Sequence, residues 1–127
     1  MDAMHALLCS APGTLEVVQR PAATRAPGDV LVRVRRVGIC GTDYHIYEGK
    51  HPFLAYPRVM GHELAVEVVE GGDSDFTAGE TVVVNPYLAC GSCIACRKGK
   101  PNCCTQIAVL GVHRDGGMTG LLSLPPQ

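Results

Sequence analysis

Four cysteines with metal-ligand spacing dominate the chemistry that this sequence can carry. Cys90, Cys93 and Cys96 recur at intervals of three residues in CGSCIACRKGKPNCC, and Cys104 follows eight residues later, next to Cys103. A Cys-x-x-Cys spacing lets two sulfurs converge on one ion, and four thiolates form the closed tetrahedral cage of a structural zinc site. Two disulfides or a set of unpaired core thiols are the alternatives, although equal spacing beside glycine and proline is a poor core pattern.

A second group with ligand chemistry is more widely spaced. Cys40 lies in GICGTDYH, where a predicted strand ends, and His62 lies in the GHE triplet, where the next strand begins. One thiolate and one imidazole from different strand ends can hold a second zinc that keeps an open position for substrate. A buried thiol beside a core histidine is the structural alternative. A Cys-His nucleophile pair in a hydrolase is another, but it has no role for the four-cysteine segment.

Four segments in order resemble the catalytic domain of the zinc-dependent medium-chain alcohol and polyol dehydrogenases. They are GICGTDYH, GHE, CGSCIACRKGKPNCC and LGVHRDGG, and the resemblance covers essentially the whole chain. It implies a strand-dominated, GroES-like, partly open β-barrel with a zinc-binding loop and little helix. It also implies that residues 1–127 are one incomplete catalytic domain. The family's third catalytic ligand and its Rossmann coenzyme domain are expected beyond Gln127, since no G-x-G-x-x-G occurs here.

The resemblance assigns roles to individual residues. Cys40 and His62 match the catalytic zinc ligands, and Glu63 matches a carboxylate that orients the site or approaches the metal. Asp43 matches the carboxylate that supports the ligating histidine, a common way to fix the orientation of an imidazole. The implied structural zinc ligands, which include Cys104 rather than Cys103, are Cys90, Cys93, Cys96 and Cys104.

The implied reaction is oxidation of a secondary alcohol by hydride transfer to NAD or NADP, with zinc as Lewis acid. Thr42 matches the hydroxyl that touches the substrate and begins a proton relay. His45 matches the outer end of that relay, and both residues are predicted to contact the coenzyme. Gly41 is typical of relatives that act on polyols, sugar acids or threonine. We therefore expect a small-molecule alcohol substrate, an inactive isolated fragment, and a homodimer or homotetramer at full length. The main rival hypothesis is a non-catalytic zinc-binding β-barrel module.

Composition narrows the class of partner and the compartment. The net charge is −1, and acidic and basic residues are interspersed, so no nucleic-acid partner is expected. No apolar run approaches the length that crosses a bilayer, so no membrane partner is expected either. Seven cysteines are an odd number, and the N-terminal stretch lacks the basic segment of an export signal. These features favour a reducing, cytoplasmic location.

Alternating apolar residues predict the elements that must position the site. Strands are predicted at 4–8, 15–19, 29–37, 64–70, 81–84, 107–110 and 121–124. In the third strand, Val30, Val32 and Val34 should face one way and Leu31, Arg33 and Arg35 the other. Residues 39–61 lose the alternation and are predicted to form a long functional loop. The turn-forming residues at 91 and 99–102 predict that the cysteine segment is a loop rather than part of a helix. Many short strands separated by turns indicate an all-β barrel or sandwich.

Overall fold

Short antiparallel strands make up most of the computed structural model, which describes residues 2–126. The strands are β1 (Ala3–Ala11), β2 (Thr14–Pro21), β3 (Val30–Gly38), β4 (Arg58–Val59), β5 (Glu63–Glu70), β6 (Thr81–Val83), β7 (Tyr87–Leu88), β8 (Ala108–Val109) and β9 (Leu121–Leu124). Two short helices, α1 (Gly41–Glu48) and α2 (Ile94–Arg97), and a 3₁₀ turn (Pro101–Cys103) complete the described elements. The strand-dominated fold class predicted from the sequence is therefore confirmed.

The strands form three sheets, in the orders β2-β1-β4, β6-β5-β3-β9 and β7-β8. The second sheet matters most for the site, because β3 and β5 pair from Leu31 and Glu70 to Gly38 and Glu63, so the end of β3 lies opposite the start of β5. Each predicted strand overlaps an observed one, whereas the two-residue strands β4 and β7 are too short to show a periodic pattern. The predicted facing of β3 is wrong at Leu31, which is buried with Val30 and Val32 because the ladder shifts register between Leu31 and Val32.

Two apolar clusters fill the interior. The larger packs the inner faces of the four-stranded sheet and consists of Val30, Val32, Leu64, Val66, Val68, Leu110 and Leu124. The smaller gathers side chains from β1, α1 and the segment before β5, and consists of Cys9, Ile46, Met60 and Val112. Since Ile46 is fully buried there, the second cluster fixes α1 against the rest of the domain.

The predicted loop at residues 39–61 is wrong in its first part, where α1 forms. The helix begins after Cys40, and it ends at Gly49, whose φ of 78° is the left-handed conformation that glycine adopts easily. Only Asp43 and Ile46 of its residues are buried, so the sequence carries no apolar stripe of helical period. Tertiary contacts hold the helix instead, and the Tyr56 hydroxyl donates to the Ile46 carbonyl at 2.5 Å.

The cysteine segment was also predicted to lack helix, and this is wrong for α2. The Arg97 N–H donates to the Cys93 carbonyl at 2.9 Å and closes one turn that contains Cys96. A single helical turn brings positions three apart onto one face, so it serves the Cys-x-x-Cys spacing. Among residues 2–126, neither helix has the length and apolar character required to cross a membrane.

Candidate metal centres

The pairing of β3 with β5 brings two distant residues together. Cys40 follows the end of β3 by two positions, and His62 directly precedes β5. Because Gly38 lies opposite Glu63 in the ladder, the two flanking side chains meet at one end of the sheet. The Cys40 Sγ lies 3.1 Å from the His62 Nε2. Tetrahedral zinc would hold these two atoms about 3.6 Å apart, so a small adjustment suffices for both to bind one ion.

Glu63 joins this group. A carboxylate oxygen of Glu63, the Cys40 Sγ and a ring nitrogen of His62 all lie within 4.8 Å of one another. We call these three residues the Cys40/His62 cluster. Sulfur, imidazole and carboxylate are ligands that zinc accepts, and three such groups leave a fourth position open. The donor set and its spacing therefore fit a zinc ion that substrate can reach.

Asp43 lies behind His62 and is almost completely buried. Its Oδ2 accepts a hydrogen bond from the Cys40 N–H at 3.0 Å, and its Oδ1 lies 3.8 Å from the His62 Nδ1. That distance is short enough for an ion pair but too long for a hydrogen bond. Both facing atoms are consequently buried without a hydrogen-bond partner. A slight approach of the ring would create the N–H···O contact that orients a ligating histidine.

An open cleft of about 630 Å³ gives access to the cluster. Thr42, Cys40, His62 and Glu63 line it, so the Thr42 hydroxyl is at hand for a molecule that enters. His45 is exposed on α1 and is not among the residues that line the cleft. Of the predicted site residues near Cys40, the structure thus brings Thr42 to the cleft, and it leaves His45 on the outer surface of the helix.

The four-cysteine segment folds around a common point. The sulfurs of Cys90, Cys93, Cys96 and Cys104 lie within 4.8 Å of one another, and we call these residues the tetracysteine cluster. Cys103 is exposed and is not part of it. Tetrahedral zinc with bonds of about 2.3 Å places its sulfurs about 3.8 Å apart, which agrees with this spacing. All seven cysteines are free thiols, so neither disulfide of the alternative reading forms.

Backbone N–H groups point at the sulfurs of the tetracysteine cluster. Cys90 Sγ accepts from the Cys93 N–H at 3.3 Å, and Cys104 Sγ accepts from the Cys90 N–H at 3.3 Å. Hydrogen bonds from the Cys96 and Thr105 backbone lower the pKa of Cys93 to about 5, whereas burial raises the pKa of Cys96 to about 11. Four crowded sulfurs cannot all be thiolates unless a cation lies among them. The cluster therefore suits a divalent ion.

Sequence reasoning missed Asp115, which supports the strand preceding the Cys40/His62 cluster. Its Oδ2 accepts from Arg20 at 2.7 Å, and its Oδ1 accepts from the Val59 N–H at 3.0 Å. Burial would raise the pKa of Asp115, but the hydrogen bonds from Arg20 and Val59 and the charges of Arg20 and Arg58 outweigh it and lower that pKa. The Asp-Gly-Gly run was the available signal, because such residues mark a turn or a close approach of the backbone.

A protein-family model and a known dehydrogenase match most of this chain. The alcohol dehydrogenase GroES-like domain model matches residues 26–127. L-galactonate-5-dehydrogenase of Escherichia coli K12 is 44% identical over 127 residues, which are 98% of this chain and 37% of that protein. The chain thus spans less than two fifths of the length of this relative.

Two solved structures share the fold. An alcohol dehydrogenase from Escherichia coli CFT073 in complex with NADH superposes with a TM-score of 0.89 at 41% identity, over 98% of this chain and 36% of that one. A thermostable alcohol dehydrogenase from Pyrobaculum aerophilum with bound cobalt and zinc superposes with a TM-score of 0.86 at 30% identity, over 98% of this chain and 40% of that one.

Proposed function

This chain belongs to the alcohol dehydrogenase GroES-like domain family, and from that premise we propose that it is the zinc-holding catalytic domain of an NAD(P)-dependent dehydrogenase. The substrate is a secondary alcohol of the polyol, sugar-acid or threonine type. The observation that carries the proposal is the convergence of Cys40 and His62 in the lining of an open cleft. The sugar-acid activity in the name of the 44% identical relative supports the substrate class.

Residues in and around the cleft have separate roles in the proposed reaction. When zinc is bound by Cys40 and His62, it supplies the Lewis acidity that makes an alcohol hydroxyl acidic near neutral pH. The Thr42 hydroxyl lines the same cleft and accepts the alcohol proton while it passes its own hydroxyl proton on towards His45. Asp43 holds the imidazole of His62 in place from the buried side. His45, exposed on α1, passes the proton towards solvent in this scheme.

The rest of the catalytic apparatus lies in the longer protein. We propose that residues 1–127 form an incomplete catalytic domain, that a coenzyme domain binds NAD or NADP, and that the whole protein is a homo-oligomer. The tetracysteine cluster has a structural role in this proposal, because four protein sulfurs leave no position for a substrate.

Metal counting combined with activity tests the proposal. The complete gene product should hold two zinc ions per chain by native mass spectrometry, and it should reduce NAD or NADP in the presence of a polyol or sugar acid. Cys40→Ser should lower the count to one and abolish activity. Cys103→Ser is the matched control, because Cys103 is an exposed thiol outside both clusters. One zinc in the unmodified protein and no activity would instead favour the non-catalytic module.

A further inference from the structure

Residues 115–118 run alongside residues 59–61, the three positions that precede His62. The carbonyls of Val59, Met60 and Gly61 each accept a hydrogen bond from a backbone N–H of the other segment. The donors are the N–H groups of Gly116, Gly117 and Met118, at 2.7, 2.8 and 2.9 Å respectively. The Asp115 side chain adds a fourth contact, to the Val59 N–H. The backbone entering His62 is therefore held by a segment more than fifty positions away.

Four buried glycines permit this close approach. They are Gly61, Gly111, Gly116 and Gly117, and we call them the glycine junction. A Cβ on Gly116 would overlap the Gly61 carbonyl oxygen and would lie 2.8 Å from the Gly111 Cα. A Cβ on Gly111 would lie 2.9 Å from the Gly61 nitrogen. These obstacles are backbone atoms, so a side chain at either position has to displace the main chain next to His62.

Gly117 makes a different contact. A Cβ there would overlap the side chain of Leu64, which is buried in the larger apolar cluster two residues after His62. The glycine junction thus touches the chain on both sides of His62. Since β3–β5 pairing begins only at Glu63, the ladder alone does not fix the direction in which the preceding imidazole points.

We propose that the glycine junction is a positioning device, which aims the His62 imidazole at Cys40 so that both can bind one ion. This inference rests on the proposed function, because it takes His62 as a metal ligand. Neither glycine of the pair Gly116 and Gly117 has the left-handed backbone found at Gly61 and Gly111. The absence of a side chain at these two positions therefore serves close approach and not turn geometry.

Gly116→Ala tests the proposal in the complete gene product. The expected result is that affinity for the ion at the Cys40/His62 cluster falls about 10–100-fold, as for other losses of support around a ligand. The tetracysteine ion and the far-UV circular dichroism should be unchanged. Gly120→Ala is the matched control in the same stretch, because its Cβ would lie at an ordinary 3.4 Å from the Met4 Cβ. Visible absorption of the cobalt-substituted protein reports each site separately from activity.

A double-mutant cycle covers the case in which Gly116→Ala fails to fold. Gly117→Ala should weaken the same ion in the native background, and it should have no such effect in a Leu64→Ala background, because the atoms it overlaps are gone. Equal weakening in both backgrounds, or unchanged affinity in Gly116→Ala and Gly117→Ala, would overturn the inference. If the unmodified protein holds an ion only at the tetracysteine cluster, the proposed function itself is wrong.

Discussion

Replacing Asp43 by asparagine changes one atom behind His62 and should weaken metal binding by an amount that can be calculated from the contact. His62 presents Nε2 to the Cys40 sulfur, so a metal-bound ring must carry its proton on Nδ1, which faces the Asp43 Oδ1 at 3.8 Å. Asparagine has one acceptor oxygen for two donors, the Cys40 N–H and the His62 N–H. In either orientation of the amide, its NH₂ group faces one of these donors.

The expected loss follows from the contact geometry. A hydrogen bond to a charged group contributes about 1.5–3 kcal/mol. The two atoms are 3.8 Å apart and make no hydrogen bond in this structure. The ring must therefore move closer when the ion binds, which places the loss near the lower end of that range. About 1.5 kcal/mol corresponds to roughly tenfold weaker binding. Burial of Asp43 keeps this interaction from being screened by solvent.

Chelator competition on the complete gene product measures the effect. Asp43→Asn should release the Cys40/His62 ion at about tenfold lower chelator strength, and the tetracysteine ion should be unaffected. Asp73→Asn, at an exposed position, is the control. Asp43→Ala also removes the contact to the Cys40 N–H at the start of α1. It should therefore lower the free energy of unfolding by ~1 kcal/mol, in addition to weakening ion binding. Native affinity in Asp43→Asn would refute the reasoning.

Three further predictions concern other parts of the chain. Cys93→Ser should abolish ion binding at the tetracysteine cluster and lower the free energy of unfolding by about 4 kcal/mol or more, because binding at such a site is coupled to folding. Metal counting and denaturant titration measure the two effects, and native stability in the variant would contradict the prediction. Thr42→Val should reduce kcat about 10²–10⁴-fold with both metals retained, whereas Thr42→Ser keeps the hydroxyl and should keep most of the rate. Steady-state kinetics of the two variants measure the difference, and equal rates would exclude a proton-accepting role. The lowered pKa of Asp115 adds stability that is complete above its usual value of 3.8 and is lost as pH falls through the lower folded value. Asp115→Asn should accordingly flatten the fall in unfolding free energy below about pH 4, and an unchanged slope would show that the carboxylate contributes nothing.

Local sequence patterns predicted much of the fold and part of the candidate site. Alternation located β3, β5 and β9 to within one or two residues, because strands half-buried in a sheet repeat every second position. The tetracysteine cluster was predictable for a similar reason, since its four sulfurs come from one short segment and their spacing alone constrains the geometry.

The family resemblance implied that Cys40 and His62 meet, but other features that depend on distant contacts were not predictable. The helix α1 has one buried apolar side chain, Ile46, whose partners lie on β1 and on the segment before β5. The glycine junction joins residue 61 to residues 111–117, and nothing near either stretch indicates the other. The role of Asp115 depends on the same crossing, because its partners Arg20 and Val59 come from separate strands.

The compactness of the tetracysteine cluster in sequence has a consequence for biosynthesis. Its ligands span 15 residues, so a nascent chain can capture an ion soon after this stretch leaves the ribosome. Cys40 and His62 are synthesised earlier, but their cluster needs the long-range pairing of β3 with β5 and also residues 111–117 of the glycine junction, which follow the cysteine segment. When cellular zinc is scarce, the tetracysteine cluster should bind its ion before the Cys40/His62 cluster does. Such a cell would accumulate folded protein that holds only the first of its two ions.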